Sequence, residues 1–85
     1  MLRVVDVFYI KDYILDLVFN NGEKRRIDML PHLDKGDMVS LKDKDMFIQF
    51  GLTDTTIEWV NGIDLAPEFL LENSELLETD VDLLI

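Results

Sequence analysis

The chain has 85 residues, of which 48% are hydrophobic, and a formal net charge of −10, which reads as one small globular domain with no room for a second core. It has no cysteine, so it offers no disulfide framework, no thiolate nucleophile and no zinc–thiolate site. No apolar run approaches the roughly 20 residues of a membrane span, and the N-terminal MLRVVDVFYI lacks the basic-then-apolar layout of a signal peptide, which makes a cytoplasmic protein the simplest expectation.

Leu2 to Tyr9 is rich in β-branched and aromatic residues, and Ile10-Lys11-Asp12 supplies a polar break. Tyr13, Leu15, Leu17 and Phe19 then alternate with Ile14, Asp16, Val18 and Asn20, the period of a strand with one strongly buried face. Asn20-Asn21-Gly22 tolerates the positive φ of a tight turn, so the chain folds straight back into Glu23–Met29. That return strand is polar on one side and thinly apolar on the other, as an edge strand is. Pro31 ends it, since proline has no N–H for a ladder.

Residues 32–45 read as a polar connector, anchored by Leu33, Met38, Val39 and Leu41, with Asp43 capping a short helical turn toward Phe47. Met46–Leu52 and Thr55–Val60 are predicted as two further strands. Asn61-Gly62 marks a turn, Asp64 takes the place of a helix N-cap, and Pro67 falls in the first turn of a helix fed by Phe69, Leu70 and Leu71. The predicted fold is α+β: a small antiparallel sheet, made of an N-terminal three-strand meander plus a later hairpin, with a C-terminal helix. Residues 1–72 form the domain, and residues 73–85 an acidic, leucine-rich helix or tail.

Within 55–68, Ile57 and Trp59 share one strand face and belong to the core on a structural reading. A functional reading places Trp59, Asn61 and Asp64 around a shallow pocket for a small polar ligand. Catalysis is poorly supplied, because His32 is the only histidine and Ser40 and Ser74 are the only serines. Asp34, Asp37, Asp43 and Asp45 share the connector, but their spacing does not fit a calcium loop and Lys35, Lys42 and Lys44 oppose a cation. No metal site, cofactor or enzymatic activity is expected.

The chain resembles a family of small bacterial proteins known as domain of unknown function 2442. The likeness rests on Tyr13, Leu15, Leu17 and Phe19, on Gly22-Glu23-Lys24-Arg25, on Phe47, and on Trp59, Asn61, Gly62, Asp64, Leu65, Pro67 and Glu68. It covers about residues 2–72. Val60 stands where the family usually has proline, and the acidic tail after Glu72 extends past the common pattern. The resemblance implies an α+β domain with a small antiparallel sheet and no established activity. It also implies a neighbouring gene in a toxin–antitoxin-like arrangement. Some members carry an added helix-turn-helix domain; none is expected within these 85 residues, so a direct DNA-reading role is not carried over.

Charge favours a protein partner over a nucleic acid. All eight basic residues lie in residues 1–44 with eight acids, whereas residues 45–85 hold ten acids and no base. Such a surface repels phosphate backbones and speeds association with a basic protein. Lys24-Arg25-Arg26, the only basic cluster, splits across the two faces of a strand. Leu70, Leu77, Val81 and Leu84 fall on one side at helical spacing. The expected function is therefore a protein-interaction module, the acidic member of a toxin–antitoxin-like pair, making contact through residues 70–85 and the Lys24–Arg26 edge. The alternative is a small-ligand-binding regulatory domain centred on Trp59, Asn61 and Asp64. Exposed edges and the leucine-rich tail predict a homo-oligomer.

Overall fold

Alternation and turn chemistry build the N-terminal meander as expected. In the computed structural model, which describes residues 1–79, β1 (Val4–Lys11), β2 (Ile14–Phe19) and β3 (Glu23–Asp28) pair antiparallel in sequence order. Leu15, Leu17 and Phe19 are buried on one face of β2, with Ile14, Asp16 and Val18 on the other. The β1–β2 turn puts Asp12 at φ 48°, a left-handed conformation that aspartate tolerates better than most residues. The β2–β3 turn uses Gly22 at φ 87°, and the Gly22 N–H donates to the Phe19 carbonyl at 3.0 Å.

The connector contains two short 3-10 segments, Leu30–His32 and Gly36–Lys42. Leu33 and Leu41 are fully buried and Met38 packs against the core, whereas Val39 is exposed. Asp43 caps α1 (Lys44–Phe47) by accepting from the Asp45 N–H at 3.0 Å. This cap draws Met46 and Phe47 into a helical turn, so the following strand is shorter than expected. β4 (Phe50–Leu52) and β5 (Ile57–Trp59) form a separate two-stranded sheet. Met29, Leu33, Leu41, Phe47, Ile57, Trp59 and Leu70 fill the core with the inner faces of β1–β3.

Two details of the C-terminal part differ from expectation. Asp64 does not cap a helix: α2 (Pro67–Glu72) has Ala66 at its N-cap with no side-chain hydrogen bond. Residues 63–64 instead run back along β5, where the Trp59 N–H donates to the Ile63 carbonyl at 2.8 Å and Glu58 bridges Asp64. That ladder holds Asp64 short of the helix start. Among the described residues, those after α2 also do not form the helix that was one of the two expectations for 73–85, the other being a tail. Glu75–Thr79 form β6, antiparallel to β3, giving a four-stranded sheet in the order β1-β2-β3-β6. The unpaired edge of β3 supplies the physical reason, because a neighbouring strand satisfies its peptide groups. Val81 and Leu84 lie outside the described residues.

Candidate functional site

The Trp59–Asp64 stretch separates into two environments. Trp59 is 1% exposed, and its indole N–H donates to the Phe47 carbonyl at 2.7 Å. Its ring lies 5.8 Å from Phe47 and 6.4 Å, edge-on, from Phe50. Both the face and the polar tip are therefore occupied, so Trp59 presents nothing to a ligand. Asn61 and Asp64 instead face outward. They line an open groove of about 720 Å³ with Gly36, Asp37, Met38, Ser40, Gly62 and Ile63. The Asn61 amide donates to the Ser40 hydroxyl at 3.0 Å, tying the turn to the connector. Gly62 sits at φ 91° and donates its N–H to the Trp59 carbonyl at 2.9 Å, which is why that turn asks for glycine.

The basic cluster is drawn into the fold instead of being displayed on an edge. β3 is flanked on both sides, by β2 and β6. Arg26 forms a two-point contact with Asp16, with Nε to Oδ1 at 2.7 Å and Nη2 to Oδ2 at 2.9 Å. These hydrogen bonds, then the charge of Asp16 and the nearby Glu75, hold the Arg26 guanidinium above its usual pKa. Lys24 pairs with Glu78 at 3.2 Å. On the opposite face Arg25 bonds Glu23 and donates to the Ser74 hydroxyl at 2.8 Å and the Ser74 carbonyl at 3.2 Å. The split across two faces is as expected, but among the described residues the sheet ends at β6 and not at β3. There Leu76 and Leu77 are half exposed.

Among the described residues, the two serines and the histidine have separate neighbours. The Ser40 hydroxyl donates to the Asp37 carbonyl and the Ser74 hydroxyl to the Leu71 carbonyl. His32 lies edge-on to Phe69, 5.2 Å between ring centres, on a smaller groove shared with Asp34, Lys35, Leu65 and Phe69. Among the described residues no three His, Asp or Glu side chains converge on a metal position. No helix among them is long and apolar enough to cross a membrane.

β1 is the surface that sequence reasoning passed over. It forms the other end of the sheet, and Val5, Phe8, Tyr9 and Ile10 are each 40–51% exposed. The signal was VVDVFYIK itself, apolar at both strand parities, which fits a strand buried on both faces or an edge that displays one of them.

No curated protein and no solved structure matches the chain. The model of a protein family described as "Protein of unknown function (DUF2442)" matches residues 4–75, and the chain belongs to that family.

Proposed function

We propose that this chain is a non-enzymatic protein-interaction module that takes a basic protein partner along the outer edge of β6. The observation behind this reading is the position of β6. It ends the sheet among the described residues, carries half-exposed Leu76 and Leu77, and intersperses them with Glu75 and Glu78. An edge strand offers peptide groups to an added strand, its leucines supply apolar contact, and its acids select a cationic neighbour. The net charge of −10 speeds encounter with such a partner and makes it sensitive to salt. The acidic half of a toxin–antitoxin-like pair is the finer form of the same reading.

The test is affinity capture from the native lysate with the full chain and with Leu76→Glu/Leu77→Glu, at low and high salt. A stoichiometric basic protein held by the full chain, weakened by salt and lost from the variant, is the expected outcome. Undiminished capture by the variant would remove β6 as the contact.

A small-ligand-binding role is the second reading, favoured by the groove at Asn61 and Asp64. Titrating small amines and amino acids into labelled protein should then move the amide signals of Ser40 and Gly62. Unmoved signals across the panel leave the interaction reading alone.

A further inference from the structure

We infer that β1 is a self-recognition strand, along which two copies of this chain pair antiparallel in a register centred on Phe8. The inference concerns the opposite end of the sheet from β6 and does not depend on the partner proposed there. Among the described residues, the outer edge of β1 is closed at its start, where the Val4 N–H donates to the Thr55 carbonyl at 2.9 Å. Further along, the Val7 N–H donates to the neighbouring Asp6 carboxylate at 2.9 Å. Strand alternation then places the Val7 and Tyr9 peptide groups on the outer edge and those of Phe8 toward β2.

Charge selects the occupant. Residues 1–11 carry Arg3, Lys11 and one acid, Asp6, within a chain of net charge −10. A basic partner gains little at such an edge. A second copy brings a nearly neutral, apolar strand against itself and keeps the two acidic β6 edges at the far ends of a continuous sheet.

The register follows from the pleat. Phe8 pairs with Asp16 on the face away from the core, while Val7 and Tyr9 pair with Leu17 and Leu15 on the core face. Residues opposite one another in an antiparallel ladder share a face, so only registers that match like faces are allowed. Centring on Phe8 sets Val7 opposite Tyr9 of the second copy, and the outward N–H and C=O groups exchange hydrogen bonds. It sets the two Phe8 side chains in the close, non-hydrogen-bonded position, where aromatic pairs stabilise a sheet. The regular pleat ends at the register shift between Tyr9 and Lys11, so Asp6 comes opposite that irregularity at Ile10 of the second copy and near its Lys11. The two Asp6 residues lie about 13 Å apart, four residues at ~3.3 Å each, beyond the ~10 Å screening length at 0.1 M salt. Pairing exchanges the Asp6–Val7 bond for an interchain one, so association is reversible and depends on concentration.

The absence of cysteine gives a direct test of register. Opposed Cα atoms at a non-hydrogen-bonded position lie about 4.5 Å apart, within disulfide reach. Under mild oxidation, Phe8→Cys should form disulfide dimers at least tenfold faster than Asp6→Cys or Lys24→Cys. Equal rates would overturn the register. Sedimentation equilibrium on the full chain should show a monomer–dimer equilibrium, weakened at least tenfold by Phe8→Glu and unchanged by Leu77→Glu. A monomer at all concentrations, or a dimer broken by Leu77→Glu and not by Phe8→Glu, would overturn the inference. The near-ultraviolet signal of Trp59 confirms that each variant is folded, and the cysteine variants decide the question if Phe8→Glu is not.

Discussion

The Trp59 side of the molecule and the β3–β6 side are held together by different physics. Around Trp59 the chain packs aromatic rings: Phe47 meets Trp59 at 5.8 Å and Tyr13, edge-on, at 5.2 Å, with Trp59 donating to the Phe47 carbonyl. Across β3 it pairs charges instead, Arg26 with Asp16, Lys24 with Glu78, and Arg25 with Glu23 and Ser74. Dispersion and apolar burial in the first region are short-ranged and are not screened by salt. The ion pairs of the second lie near water, where each contributes little alone. The lesson is that a chain with eight bases and eighteen acids engages the three cations of β3 within the fold. Those cations align a fourth strand and leave the excess of acids outward.

Trp59→Ala should have the largest effect, because it removes the largest buried side chain and leaves the Phe47 carbonyl without its donor. A loss of about 3–5 kcal/mol in denaturant unfolding is expected, a large share of the stability of so small a domain. A loss below about 1 kcal/mol would mean that the aromatic cluster does not hold the two sheets together.

Arg25→Ala should come next. The side chain is only 17% exposed, and its bonds to Ser74 fix the reversal between α2 and β6. Charge-assisted hydrogen bonds of this kind contribute about 1.5–3 kcal/mol. Hydrogen exchange should show β6 amides opening faster while β2 amides stay protected. Unchanged β6 exchange would leave the β3–β6 ladder as the only tie.

Arg26→Gln should have the smallest effect on denaturant unfolding, as expected of an exposed pair. The difference from the parent should shrink between 0.05 and 0.5 M salt, since screening weakens the parent pair. A salt-independent difference would assign the effect to packing of the arginine stem instead.

Much of the fold was legible along the chain. Period-two alternation at Tyr13–Phe19, the turns at Asn21-Gly22 and Asn61-Gly62, and the Asp43 cap are local rules, and each takes the expected form. Trp59 was legible as core because it shares a face with Ile57, and both are buried. Asp64 was misplaced because a cap and a ladder position look alike in sequence. The ladder won by pairing Asp64 with Glu58 and Trp59 with Ile63. Of the candidate ligand residues, Asn61 and Asp64 do share a groove, while the burial of Trp59 takes it out of that set.

The amino-acid sequence by itself determined the strands of the meander, their turns and their inward faces, because these depend on side-chain period and on backbone freedom at single residues. It also determined the uneven charge, which composition states outright. Only the tertiary structure decided which strands end the sheet among the described residues. Leucines and acids at 75–79 suit a helix as well as a strand, and the choice was made by the peptide groups of β3, some fifty residues earlier in the chain. Pairing there covered Lys24–Arg26, moved the acidic edge to β6 and left β1 as the opposite end. Peptide groups must find partners wherever the fold brings them, and that requirement acts across the chain rather than along it.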